Sequence, residues 1–167
     1  MLNSAAELVT RGNQLIARLV SWGVLAMVLI YALLVALRYG ADWGSIALQE
    51  SVSYLHALVF MGAAAAGLSL DQHVRVDVLS SRWSARRKQW VELAGHLLFL
   101  LPFAGFLLWA AWDYVADSWS RGETSRGPGG LPYVYLLKSL ILVMAVQLAL
   151  QALAGATQLL NKLRGTR

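Results

Sequence analysis

The sequence predicts an all-α integral membrane protein, with four transmembrane helices and an amphipathic interfacial helix between the second and third. Three observations lead there. Of 167 residues, 58% are hydrophobic and only 14% charged, against about 45–50% and about 25% in soluble domains. Four uncharged runs approach or exceed the roughly 20 helical residues that cross a hydrocarbon layer about 30 Å thick. Basic residues are concentrated in alternate connecting segments. Residues 1–167 are expected to form a single membrane domain.

The first span is 19–37, bracketed by Arg18 and Arg38. The residues before it resemble a signal peptide, but a cleavable apolar core is only about 7–15 residues long and no good small-residue cleavage site follows. This span is therefore expected to stay as an anchor. The second span, 51–70, is preceded by Glu50 and closed by Asp71. Its "GAAAAG" end pairs Gly62 with Ala66 and Ala63 with Gly67, spacings that let another helix approach closely. The third, 93–112, carries Pro102 and Gly105 near its middle, where a local kink is expected. The fourth, 139–160, is entered through Lys138 and left through Asn161 and Lys162.

Orientation follows from the cations. Arg11 and Arg18 precede span one, five of Arg75 to Lys88 lie between spans two and three, and Lys162, Arg164 and Arg167 follow span four. The positive-inside rule then puts both termini and the middle segment in the cytoplasm. Tryptophans fit this: Trp43, Trp109, Trp112 and Trp119 fall near the outer boundary, and Trp22, Trp83 and Trp90 near the inner one.

The middle segment, 73–90, alternates like a strand over "HVRVDV", but a lone strand at a membrane surface leaves its edges unpaired. Read as a helix, it gathers Val76, Leu79, Trp83 and Trp90 on one side and Arg75, Arg82 and Arg86 on a flank. That pattern belongs to a helix lying in the headgroup plane, with Trp83, Arg86 and Trp90 as anchors toward anionic lipid. Arg87 falls on the apolar side and would have to snorkel. His73 and Asp77, four apart, read as a hydrogen-bonded turn leaving span two rather than a metal site, since two ligands are a weak metal signal.

Several function classes fall away. The chain has no cysteine, which excludes disulfides, thiolate chemistry and Cys-ligated metal centres. A net charge of +5 and a pI near 9.9 are what positive-inside loops produce, and no basic stripe interleaved with aromatics points to nucleic acid. His56 and His96 belong to opposite ends of the membrane, too far apart for one haem iron. The spans offer no polar path across the midplane, and no nucleophile motif, phosphate loop or carboxylate pair appears. No catalytic residue, metal or cofactor is expected. A stand-alone homo-oligomeric channel or carrier is the alternative to a helper of another membrane protein, but it needs a polar lumen that these spans do not display.

One family matches these features in order. Glu50 opens span two, Gly62 and Gly67 mark its small-residue end, and "HVRVDVL" carries His73 and Asp77. "SWSRGETS" holds Trp119, Gly122, Glu123 and Ser125, and "GGLPYVYLLKSL" and "VQLALQ" hold Lys138 and Gln147. In this the chain resembles the small, Q-type, four-helix membrane subunit of tripartite ATP-independent periplasmic (TRAP) transporters. The resemblance implies a bacterial inner-membrane protein whose partners are a large multi-span subunit and a periplasmic substrate-binding protein. It also implies sodium-coupled import of an organic anion, with this subunit bracing the one that moves. Glu50, Glu123 and Lys138 would pair with each other or with a partner, or remain solvated charges at helix ends.

Overall fold

The computed structural model describes residues 2–70 and 83–165. They form four helices: α1 (Leu2–Gly40), α2 (Ile46–Ser69), α3 (Ala85–Ser120) and α4 (Val134–Gly165). Each is long and apolar enough to cross a membrane, and the described residues contain no strand. The helices run alternately up and down. One end of the bundle carries the α1–α2 and α3–α4 connections and is called the loop end; the other, where the chain begins and ends, is the terminal end.

α4 organises the packing. Ala145, Leu148, Ala152, Ala156, Leu159 and Leu163 recur every three or four residues and are buried on one side, and Gln147, Gln151 and Ala154 are buried on another. The first side meets α3 and α2: Leu148 packs with Ala104 and Ala65, while Ala156, Leu159 and Leu163 pack with Leu93. The second side meets α1 through Gln151. α1 and α2 form the other close pair. The Gly23 Cα faces Val59 so closely that a Cβ would come within 2.8 Å of its methyl group, and at Gly62 it would lie 3.3 Å from Val20. Of the small pairs read from the sequence, Gly62 and Ala66 are buried, whereas Ala63 and Gly67 are half-buried on another face.

Two sequence expectations are refined. The first concerns Pro102. Its ring would collide with the carbonyl four residues earlier, and it offers no N–H. The chain answers with a π turn over Gly95–Leu100, in which Leu101 N–H reaches back five residues to the His96 carbonyl. The second concerns the segment 73–90. His73, Asp77 and the rest of its first part lie outside the described residues. From Ala85 onward the chain runs without a break into α3, capped by Ser84, whose Oγ accepts from Arg87 N–H. Arg86 and Trp90 are therefore exposed on the first turns of α3. Arg87 does not need to snorkel, because its guanidinium lies over the Trp83 ring, 4.4 Å from the centroid.

Candidate functional site

The loop end holds the densest polar arrangement among the described residues, built on the α3–α4 connection. α3 closes at Ser120 because Gly122 takes φ +56°, a left-handed conformation that glycine adopts at no steric cost. Gly122 N–H then bonds the Trp119 carbonyl (3.1 Å) and Glu123 N–H the Ser118 carbonyl (3.0 Å). These two bonds satisfy the last carbonyls of the helix and point Glu123 back over its end. Residues 127–130 form a turn with Pro128 second and Gly129 third. The φ of +76° at Gly129 and a Gly130 N–H bond to the Gly127 carbonyl (3.0 Å) make it type II.

Two carboxylates fasten this loop. Glu50, just over one turn into α2, accepts Leu131 N–H at 2.6 Å on one oxygen and the Ser125 hydroxyl on the other. One side chain thus ties down the loop on both sides of the Pro-Gly turn. Gly130 lies directly beneath it, where a Cβ would come within 2.8 Å of the Glu50 carboxylate. Glu123 accepts from Ser118 Oγ (2.7 Å) and Lys138 Nζ (2.5 Å), joining α3 to α4. The Lys138 ammonium also stands 3.8 Å from the centre of the Tyr114 ring. The Lys138 ammonium first, and the Ser118 hydroxyl after it, hold the Glu123 carboxyl below its ordinary value. Beside this pair, Trp119 donates from its indole N–H to Ser139 Oγ (2.8 Å) and packs its ring against Tyr135.

Six residues singled out from the sequence meet here: Glu50, Trp119, Gly122, Glu123, Ser125 and Lys138. The others do not. Gly62 packs on α1, Gly67 sits near the terminal end of α2, and Gln147 is buried mid-bundle with a side-chain oxygen that has no hydrogen-bond partner among the described residues. Trp83, Arg86 and Trp90 lie at the start of α3, far along the chain from the loop end. The two histidines do not converge: His56 points away from the bundle, stacked on Phe60, while His96 packs against Gly155 of α4.

A second polar cluster at the terminal end was not singled out in the sequence. Asn13 donates to Gln151 (2.9 Å), and both are buried. Gln151 reaches on to Thr10 (3.4 Å), and Gln14 donates to Ser69 (3.3 Å). Beside them is a cavity of about 300 Å³ with Thr10, Ser69, Glu92, His96, Gln151 and Lys162 in its wall. The available signal was the i, i+3 spacing of Thr10 and Asn13 on a helix that begins well before its uncharged run. The loop-end cluster ties the α3–α4 loop to α2, α3 and α4, and the terminal-end cluster ties α1 to α4 and α2.

The family model described as tripartite ATP-independent periplasmic transporters, DctQ component, matches residues 27–165. No curated protein and no solved structure matches the chain.

Proposed function

This chain belongs to the DctQ component family of tripartite ATP-independent periplasmic transporters, and from that premise we propose that it serves as the static brace of its transporter. The family works with a large membrane subunit and a periplasmic binding protein, and the chain is a multi-pass inner-membrane component of that system. The brace reading rests on one observation above all. Glu50 and Glu123 tie the α3–α4 loop to α2, α3 and α4 at once, so the loop end cannot open without breaking charge-assisted hydrogen bonds.

A carrier that works by moving one domain against another needs a part that does not move. A bundle locked at the loop end by carboxylates and at the terminal end by Asn13 and Gln151 supplies that part. In this reading the termini are cytoplasmic and the clasp faces the periplasm, as the distribution of cations supports. Trp83, Arg86 and Trp90 anchor the start of α3 among anionic headgroups. The substrate is an organic anion of carboxylate type, moved with sodium by the large subunit after delivery by the binding protein.

The test is reconstitution. Vesicles holding this chain with its large subunit, given binding protein and a sodium gradient, are expected to accumulate the anion, and vesicles holding either membrane subunit alone are not. Uptake or ion flux by the isolated chain would overturn the reading and favour a homo-oligomeric carrier.

A further inference from the structure

We propose that the unburied face of α2 is a seam for a single membrane helix of the large subunit, with Gln49, Ser53 and His56 as its polar half; this rests on the reading above. The face is defined by spacing. Gln49, Ser53, His56, Phe60, Ala63 and Gly67 follow one another at intervals of four and three. That is the repeat that keeps one stripe facing a partner helix crossing at about 20°. The first four are exposed and the last two half-buried. α2 already uses two other stripes: Leu55, Val59 and Gly62 lie against α1, and Ala65 lies against α4 and α3. The third stripe is left over.

Its chemistry argues against lipid. Gly23 faces Val59 and Leu55, and Gly62 faces Val20 and Ile16. That antiparallel register sets His56 level with Val24, Ser53 with Met27 and Gln49 with Tyr31. These α1 residues lie within its uncharged run, 19–37, and the neighbouring Val28 and Leu29 are 59% and 60% exposed, as lipid-facing side chains are. Ser53 and His56 therefore stand level with hydrocarbon, and Gln49 stands at its outer edge. Among the described residues, none of the three makes a side-chain hydrogen bond or ion pair, and the His56 ring stacks on Phe60, 6.3 Å between centroids.

Hydrocarbon offers such groups nothing, and polar or ionisable side chains within spans face protein or water. By contrast α3 turns Phe99, Phe103, Phe106 and Trp109 outward. The occupant that fits the α2 face is a helix with hydrogen-bonding side chains level with Ser53 and His56. Farther along it can approach closely over Ala63 and Gly67, where no bulky side chain intervenes. A component family with a large multi-span partner supplies such a helix.

The experiment places a genetically encoded diazirine residue at position 53, and in a second variant at 56, in the chain co-expressed with its large subunit and reconstituted in vesicles. Position 28 on α1 is the control. Photolysis is expected to give adducts from 53 and 56 on one helix of the large subunit, at least tenfold above those from position 28, which should mark lipid. Lipid adducts from 53 and 56, or adducts on a second copy of this chain, would overturn the proposal. As an independent readout, Ser53→Trp should lower recovery of the large subunit at least fivefold while leaving the isolated chain as resistant to unfolding as the native one; undiminished recovery would count against the seam. If the two subunits fail to copurify at all, the brace reading falls. If they copurify while position 53 meets lipid, only the seam falls.

Discussion

Gly155→Ala offers a sharp test of the packing at the terminal end, because its effect should change sign with the residue at position 96. A Cβ on Gly155 would sit 2.8 Å from His96 Nε2, 2.9 Å from Cε1 and 3.3 Å from Cδ2. Three ring atoms are crowded at once, so a small tilt of the imidazole cannot relieve all of them. Reaching ordinary contact requires a shift of roughly 0.6 Å between α3 and α4, or a rotation of the ring out of its place. Overpacking of this kind costs about 1–3 kcal/mol, set against a gain of up to about 1 kcal/mol for replacing a mid-helix glycine by alanine. The net expectation is a loss of about 0–2 kcal/mol. In a His96→Ala background the obstruction is gone, and the same substitution should stabilise by up to about 1 kcal/mol. The measurement is a double-mutant cycle on the purified chain, from reversible unfolding by sodium dodecyl sulfate in mixed micelles. The cycle cancels everything else that His96 does. A coupling of about 1–3 kcal/mol is expected, and an equal effect of Gly155→Ala in both backgrounds would refute the argument.

Three further outcomes follow from the two polar clusters. Asn13→Leu and Gln151→Leu should each destabilise the bundle, and the pair should cost less than the two separately; the coupling, measured in the same micelles, should be about 0.6 and at most about 1.7 kcal/mol, as for hydrogen bonds between membrane helices. Glu123 has a folded-state pKa depressed below its ordinary 4.5, so its contribution is complete above that value and is lost as pH falls through the lower, folded one. Unfolding midpoints should thus drop more steeply with acid below about pH 4.5 in the native chain than in Glu123→Gln, and parallel curves would contradict the Lys138 pairing. Glu50→Ala should release both sides of the Pro-Gly turn, speeding amide exchange at Leu131 about tenfold or more while leaving α4 amides near Leu148 unchanged.

The spans were legible because an uncharged run of that length has few other uses; 19–37, 93–112 and 139–160 fall inside helices of the structure, and 51–70 runs one residue past the end of α2. The helix ends were less legible. α1 begins at Leu2 rather than near Leu19, because its first turns bury Ala6, bond Asn13 to Gln151 of α4 and carry an exposed Glu7–Arg11 pair. Span hydropathy takes no account of such amphipathic turns. Glu50, Glu123, Ser125 and Lys138 could be chosen as polar residues in an apolar chain, but not their pairing. Glu50 meets Leu131 across 81 residues, and that closure depends on the left-handed turn at Gly122 and on the absence of a side chain at Gly130. The Asn13–Gln151 cluster was hidden for the opposite reason: one amide precedes the first uncharged run and the other lies inside the fourth, and only the register of α1 on α4 sets them face to face. The π turn before Pro102 was foreshadowed only as a kink, since the proline reveals that the ladder must break but not how the chain absorbs it.

The order in which the helices appear during synthesis gives the central place of α4 a further meaning. α1 and α2 can pair as soon as both have left the ribosome, since Gly23 and Gly62 bring them together without help. α3 has no such early partner, because most of what it buries lies against the last helix to be made. Until α4 arrives, Ala111, Val115 and Ser118 wait without most of their cover, and Glu123 lacks its lysine. A chain stopped before Val134 is therefore expected to insert yet be cleared quickly, with a pulse-chase lifetime well below that of the full chain, while an α1–α2 fragment persists. On this reasoning the cover of the third helix is the last part of the fold to be completed.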